Sequence, residues 1–208
     1  MPIYNLSDLV FTSPFFSAMD CVLHKEQAIY CSSELTSGLR AYTEMRNRKV
    51  RSAQELKARC GEAWYKANIV EVNENAALDF ARYVCKQAGG DAVINPGPLK
   101  VPGWDQREYL AFWEELIRTR VKAVRFNKNW QFSSGCTFEF VVATKLEIPT
   151  LDAEGSKIDF KTAVGSIQDA LLKFDGFDTK KLQANLERLT KHSINLRELG
   201  TATKKISS

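Results

Sequence analysis

Four short apolar segments alternate with longer amphipathic segments along this chain, and this alternation restricts the fold more than any other feature. The apolar segments lie at residues 28–32, 91–96, 121–126 and 147–151. Each has the length of a buried β-strand and is far shorter than the ~20 apolar residues that span a membrane. Strands that alternate with helices are typical of parallel sheets. The sequence therefore predicts an α/β fold in which helices cover a parallel sheet.

The amphipathic segments predict where the helices begin and end. Asn73 or Asn75 can cap a helix that ends at Gly89 and Gly90, and Asp105 can cap the next one. Further helices are predicted at about residues 14–26, 52–66, 135–145, 160–174 and 178–191.

A chain of 208 residues suits one globular domain with extensions. We expect a three-layer, parallel-sheet α/β sandwich, flavodoxin-like or Rossmann-like, over residues 28–155. Residues 1–27 are expected to form an N-terminal extension and residues 156–208 a C-terminal extension with two helices. The spacing of apolar residues leaves open whether these two helices pack on the sheet or form a dimer interface.

Composition and charge exclude several classes of protein. The net charge of +4 is too small to indicate nucleic-acid binding. The first residues lack the basic and apolar regions of a signal peptide, so we expect a cytoplasmic protein without membrane segments. The five cysteines have no Cys-x-x-Cys spacing, and the two histidines lie far apart. We therefore expect reduced, buried thiols and neither a metal site nor a cofactor.

Polar loops follow the first three predicted strands. They cover residues 32–38, 95–103 and 127–135 and are rich in Ser, Thr, Asn, Gly and Pro. The carboxyl ends of parallel strands lie at one edge of the sheet, where ligands bind in open α/β folds. We therefore expect the three loops to converge on one ligand site.

The segment WQFSSGCTFE at residues 130–139 is the most informative of these regions. Ser133, Ser134 and Gly135 precede a predicted helix, and the free N–H groups of a helix N-terminus suit a phosphate. Glu139 lies about one turn inside this helix. A carboxylate beside a bound sugar can attack the oxocarbenium-like centre that forms when the bond from sugar to base breaks. Serine followed by glutamate is also a helix-capping pattern, which leaves a structural role open.

Three segments together resemble the nucleoside 2-deoxyribosyltransferase-like superfamily. IYCSS at residues 29–33, with TSG at 36–38, resembles the first strand and the substrate loop. DAVINP at residues 91–96 resembles the second strand. The segment at residues 130–139 resembles the motif in which Ser and Gly precede a nucleophilic Glu. The resemblance covers roughly residues 28–155.

This resemblance implies an enzyme that cleaves or transfers the N-glycosidic bond of a nucleoside or nucleoside 5′-monophosphate. Glu139 would attack the anomeric carbon to form a glycosyl-enzyme intermediate, which water or a second base would resolve. The implied substrate-binding residues come from the first strand and the three loops: Tyr30, Ser32, Gly38, Asn95, Trp130, Ser133, Ser134 and Gly135. Several members of the family are obligate oligomers, so a homo-oligomer is expected here.

Two features depart from the family pattern. The stretch between the first strand and the second helix is unusually long. Family members often carry an aspartate just before the third strand, where this chain has Arg120 and Lys122. The acid on the base side is therefore unassigned. Asp105 and Glu114 are candidates, although each also fits a helix cap or a solvated helix position.

Two other functions stay open at the level of sequence. Ser133, Cys136 and Glu139 also resemble the glutamate helix of TIR-type domains, some of which cleave the nicotinamide–ribose bond of NAD. The same fold also suits a non-catalytic nucleotide-binding or interaction module.

Overall fold

The computed structural model describes residues 16–18, 21 and 27–192, which form an α/β fold around four parallel strands. The strands are β1 (Ala28–Ser32), β2 (Val93–Ile94), β3 (Val121–Phe126) and β4 (Thr150–Leu151). Their order across the sheet is β2-β1-β3-β4. The first and third strands have the predicted bounds, whereas the second and fourth are shorter than predicted.

Eight labelled helices surround the sheet in the described part of the chain. They are α1 (Leu39–Asn47), α2 (Ala53–Cys60), α3 (Glu62–Tyr65), α4 (Glu71–Gln87), α5 (Gln106–Arg120), α6 (Ser134–Lys145), α7 (Phe160–Lys173) and α8 (residues 180–192). Residues 16–18 and 21 are also helical, and the rest of the helix predicted at 14–26 lies outside the described residues.

Neighbouring residues of a strand point to opposite faces of the sheet. Because buried side chains of β1 lie on both faces, helices cover both. Tyr30 of β1 lies in the larger core with Leu116 of α5 and Val141 of α6. Cys31 lies on the other face, in a smaller cluster with Phe80 of α4. The predicted three-layer α/β sandwich with a parallel sheet is confirmed.

The two C-terminal helices pack into the fold. Ile167 of α7 and Leu189 of α8 are fully buried in the same core cluster as β1 and β3. Phe174, which follows α7, is buried in a second cluster with residues of α1. The described part of residues 156–208 therefore shares its core with residues 28–155.

The helix predicted to begin at Asn73 or Asn75 begins earlier, so that prediction is wrong. α3 continues through a π-helical turn (Lys66–Val70) into α4. Residues 62–87 contain neither glycine nor proline, so nothing interrupts the helix there. Asn73 is buried instead, and its Nδ2 donates a hydrogen bond of 2.9 Å to the carbonyl oxygen of Leu35 in the loop after β1.

The helix predicted at residues 52–66 is divided in two. Ser52 caps α2, since its Oγ accepts a hydrogen bond of 3.1 Å from the backbone N–H of Glu55. Gly61 then adopts a φ of 92°, which side-chain-bearing residues rarely adopt, and separates α2 from α3.

The cysteines are free thiols in different environments. Cys31 and Cys136 are buried as predicted, whereas Cys60 is half-buried and Cys21 and Cys85 are exposed. None of the described helices has the length and apolar character that crossing a membrane requires. Within the same residues, no group of three or more His, Cys, Asp and Glu side chains is arranged to hold a metal ion.

Candidate active site

Glu139 is a buried carboxylate in the middle of α6. Cys136, Phe140 and the residues around them in this helix are all buried, so α6 is enclosed on every side. Glu139 itself is 7% exposed. The interior position of the whole helix, rather than an amphipathic stripe, therefore brings this carboxylate into the fold.

Two hydroxyl groups of β1 hold the Glu139 carboxylate. The hydroxyl of Tyr30 donates a hydrogen bond of 2.7 Å to Oε1, and Ser32 Oγ donates one of 2.6 Å to Oε2. Tyr30 and Ser32 are two residues apart in a strand, so both side chains point to the face that α6 covers. The structure thus brings three of the predicted site residues into direct contact.

Burial governs the protonation of this cluster. It raises the pKa of Glu139 from its ordinary 4.5 to about 7, although the hydrogen bonds from Ser32 and Tyr30 act in the opposite direction. Burial, followed by the charge of Glu139, raises the pKa of both Tyr30 and Cys136. Within the cluster, Glu139 is therefore the group that changes its charge near pH 7.

The N-terminus of α6 lies beside the loop that follows β1. Ser133 is the N-cap, and its Oγ accepts a hydrogen bond of 3.4 Å from the backbone N–H of Cys136. The same Oγ lies 3.4 Å from Ser37 Oγ, so the loops after β1 and β3 meet at this point. A Cβ added at Gly135 would lie 3.7 Å from Ser133 Oγ, an ordinary contact, so the backbone does not require glycine there.

Ser134 belongs to a different cleft. Its carbonyl oxygen accepts a hydrogen bond of 2.9 Å from Asn185 Nδ2 of α8. The cleft has a volume of about 420 Å³, and its lining includes Ser134, Asn185 and the cations Arg107, Lys181 and Arg188. Glu139 does not line this cleft.

A second carboxylate, Glu34, lies in the loop after β1 and was missed at the level of sequence. Its Oε1 accepts a hydrogen bond of 2.9 Å from the backbone N–H of Leu39, the first residue of α1. Gly38 has a φ of 119°, and a Cβ there would collide with the Glu34 carboxylate. Burial raises the pKa of Glu34 to about 7, against the lowering effects of the Leu39 N–H and Arg40. Gly38, predicted to bind substrate, therefore makes room for a carboxylate.

The Glu34 side chain lines a polar cleft at the carboxyl edge of the sheet. The cleft has a volume of about 430 Å³, within the usual range of small-molecule pockets. Its polar lining comes from the loops after β1 and β3 and from α1 and α4, and includes Glu34, Arg40, Asn73, Asn127, Lys128 and Asn129. None of the residues predicted to bind substrate lines this cleft. An acidic residue in a polar loop directly after the first strand was the only signal in the sequence.

Trp130 and Asn95 serve packing and backbone geometry. The ring of Trp130 is stacked on that of Phe140 with the centroids 4.9 Å apart, and the residue is 8% exposed. This position favours a structural role over stacking on a base. Asn95 Oδ1 accepts a hydrogen bond of 3.1 Å from the backbone N–H of Gly97, which closes the turn after β2.

The two acids proposed from sequence for the base side have other environments. Asp105 caps α5 and accepts a hydrogen bond of 2.5 Å from the backbone N–H of Arg107. Glu108 completes a capping box with Asp105, as expected for the structural alternative. Glu114 is only 6% exposed, so the expectation that it is a solvated helix residue is wrong.

Comparison with known proteins gives no match of any kind: no family model, no curated protein and no solved structure matches this chain. The resemblance to nucleoside 2-deoxyribosyltransferase-like proteins therefore depends on the motifs quoted above.

Proposed function

We propose that this protein is an enzyme that cleaves or transfers the N-glycosidic bond of a nucleoside or nucleoside 5′-monophosphate, with Glu139 as the nucleophile. The cluster of Tyr30, Ser32 and Glu139 at the carboxyl end of β1 is the observation that carries this proposal. Ligand sites of parallel α/β sheets lie at this end of the strands. A carboxylate with one donor on each oxygen also has the fixed orientation that attack on a single carbon atom requires.

The ionised form of Glu139 is the nucleophile. One of its oxygens forms a bond to the anomeric carbon as the bond from that carbon to the base nitrogen breaks, and the electron pair passes to the base. The hydrogen bonds from Ser32 and Tyr30 lower the pKa of Glu139 and so favour the ionised form against the effect of burial. Attack by water, or by a nitrogen of a second base, on the anomeric carbon then releases the carboxylate.

The N-terminus of α6 suits the remainder of such a substrate. Ser133 and Ser37 bring two hydroxyl groups together beside this helix end. Free backbone N–H groups and the helix dipole favour an anion there. In this proposal a 5′-phosphate or the sugar hydroxyls lie at this end of α6.

A panel of substrates tests the proposal. Purified protein is incubated with ribonucleosides, deoxyribonucleosides, their 5′-monophosphates and NAD, and the released base is measured by chromatography. We expect release from a nucleoside or nucleotide by the wild-type protein and none by Glu139→Gln. Glu62→Gln, which alters an exposed glutamate paired with Lys57 on the surface, is the matched control and keeps full activity.

The same panel separates the alternatives. Release of nicotinamide from NAD, with no other base released, would support a TIR-like NAD glycohydrolase instead. A panel that yields no base at all would refute catalysis at Glu139.

One observation favours a second candidate, a non-catalytic nucleotide-binding or interaction module. Both oxygens of Glu139 are satisfied within the fold, and a buried, fully hydrogen-bonded carboxylate also suits a structural role. Calorimetry that detects nucleotide binding by both the wild type and Glu139→Gln, without turnover by either, would support this candidate.

We further propose that the protein works in the cytoplasm and as a homo-oligomer. Cys21 and Cys85 are exposed free thiols, which persist in a reducing compartment. The homo-oligomer is implied by the resemblance in sequence alone. Light scattering of the purified protein measures the number of subunits.

A further inference from the structure

Glu34 and the polar cleft beside it have no part in the proposed nucleophilic step. We propose that Glu34 is the second catalytic carboxylate of this enzyme and that the cleft binds the base of the substrate. This inference rests on the proposed role of Glu139. It assigns the acid on the base side to a residue outside the two candidates that the sequence suggested.

The backbone brings Glu34 close to the Glu139 cluster. Glu34 follows Ser32 by two residues, and two residues of chain span at most ~7 Å. Ser32 Oγ in turn donates a hydrogen bond to Glu139. Burial, then the charge of Glu139, and finally that of Glu34 raise the pKa of the Cys136 thiol. Glu34 and Glu139 therefore both lie near the carboxyl end of β1, Glu34 in the loop after this strand and Glu139 on α6.

The surroundings of Glu34 suit a group that holds and releases a proton. Its Oε1 is bound to the backbone N–H of Leu39 at 2.9 Å. Within residues 27–192 no donor bonds to Oε2, which leaves that oxygen to the cleft. Burial raises the pKa of Glu34 to about 7, which is the range in which a general acid is most effective at neutral pH.

The lining of the cleft matches the edge of a heterocyclic base. The Asn73 Nδ2 donates to the Leu35 carbonyl oxygen, and the Oδ1 of the same amide can accept a hydrogen bond from another group. The Asn127 Oδ1 accepts a hydrogen bond of 2.8 Å from the backbone N–H of Lys128, so its Nδ2 can donate. The volume of about 430 Å³ accommodates a small heterocycle. The cleft thus offers an acceptor, a donor and the proton of Glu34 to one ligand.

The proposed step balances in atoms and charge. As Glu139 attacks the anomeric carbon, the bond to the base nitrogen breaks and its electron pair stays on the base. Glu34 transfers its proton from Oε2 to a nitrogen or oxygen atom of that base. The Glu34 carboxylate then takes a proton from the water that attacks the anomeric carbon and displaces Glu139. The products are the free base and the free sugar, and both carboxylates return to their starting states.

The test compares leaving groups that differ in their need for a proton. Glu34→Gln keeps the acceptor for Leu39 N–H but has no proton to give. With the nucleoside that the wild type cleaves, we expect kcat/KM to fall by about 10²–10⁴-fold. With a p-nitrophenyl glycoside of the same sugar, whose phenolate leaves without protonation, we expect no loss. Glu62→Gln is again the control, and thermal unfolding checks that each variant is folded.

The pH profile provides a second measurement on the natural substrate. The wild-type rate rises as Glu139 ionises and falls as Glu34 loses its proton, so Glu34→Gln lacks the fall at high pH. The titratable and charged groups that surround Glu34 are Arg40, Tyr42, Glu44, Lys128 and Cys136. Burial raises the pKa of Tyr42 to about 12 and that of Cys136 above its usual value.

Two outcomes would overturn the inference, and a third would overturn the proposed function on which it rests. If Glu34→Gln retains the wild-type kcat/KM and the fall at high pH, the inference is wrong and the role of Glu139 stands. An equal loss with both leaving groups indicates a structural role for Glu34 and also overturns the inference. If the wild-type protein releases no base from any substrate, the proposed function itself fails.

Discussion

Glu139 and Arg125 are buried charged residues on opposite faces of the same sheet, and they differ in their hydrogen-bond partners. Arg125 is 5% exposed and Glu139 is 7% exposed. Three consecutive residues of β1 lie next to these two buried residues. Tyr30 and Ser32 bind Glu139, while Cys31, which lies between them, pairs with Arg125 of β3 and faces the other side.

The partners of the two charges differ in kind. Arg125 Nη2 donates a hydrogen bond of 2.9 Å to the carbonyl oxygen of Ala153, and Nε donates one of 3.4 Å to that of Asp152. These two hydrogen bonds to backbone carbonyls connect β3 to the segment after β4. Glu139 has a pKa of about 7 and can gain or lose a proton. A buried group with a pKa near 7 is thus a candidate for chemistry, whereas the hydrogen bonds of Arg125 to two carbonyl oxygens indicate a structural role.

The largest expected effect is the difference in catalytic activity between the Glu139 and Arg125 variants. Glu139→Gln is expected to lower kcat/KM by about 10⁴–10⁶-fold, as the loss of a nucleophile does in other enzymes. Arg125→Met is expected to leave kcat/KM of the folded protein unchanged. Base release by the two variants measures the contrast, and equal losses would contradict it.

The next largest expected effect is a loss of stability when Arg125 is replaced. Arg125→Met leaves the carbonyl oxygens of Asp152 and Ala153 without their donor, which should lower the free energy of unfolding by about 2–4 kcal/mol. Arg82→Met is the control, since Arg82 is exposed and pairs with Asp79 on the surface. Urea denaturation measures the free energy of unfolding of both variants. A loss in Arg82→Met as large as in Arg125→Met would contradict the structural role of the Arg125 hydrogen bonds.

The third effect concerns pH. The pKa of Glu139 is about 7 in the folded protein and its ordinary value is 4.5, so the folded state binds more protons between these values. The free energy of unfolding therefore falls as the pH rises from 4.5 to 7. In Glu139→Gln the fall is expected to be shallower, and in Arg125→Met it should persist. Denaturation curves across this range check the slopes; a wild-type slope in Glu139→Gln would refute the assignment.

The smallest expected effect tests whether neighbouring residues of β1 contact different sites on opposite faces of the sheet. Ser32→Ala removes one donor from Glu139, which should lower the free energy of unfolding by about 1 kcal/mol and raise the pKa of the carboxylate. The rise in activity at low pH then moves to higher pH. Cys31→Ala, on the opposite face, is the control and should leave this part of the pH profile in place. A shift of equal size in both variants would contradict the division of β1 between the two sites.

The sequence predicted the local elements better than the contacts of the candidate site. The segments at 28–32 and 121–126 were recognised because compact apolar composition is a local property. Glu139 was also selected from a local motif. Its partner Tyr30 lies 109 residues away in the chain, so only the parallel arrangement of the strands explains their contact.

The misses have physical causes as well. Glu34 looked like an ordinary loop acid, because its burial depends on the close approach of its carboxylate to Gly38. Asn73 looked like a cap, because the π-helical turn before it joins two helices that the pattern separates. Trp130 looked like a substrate-binding residue, and only its stacking on Phe140 shows that the ring belongs to the core.

By itself the sequence determined the order of strands and helices and the position of a carboxylate about one turn inside α6, since periodicity and capping depend on residues that are close together in the chain. The tertiary structure alone decided which carboxylates are buried and which groups satisfy them. Burial and hydrogen bonding depend on segments that are distant in the chain, and these two effects set the pKa of Glu139 and Glu34. The chemistry proposed for this protein therefore depends on the way β1, its loop and α6 come together.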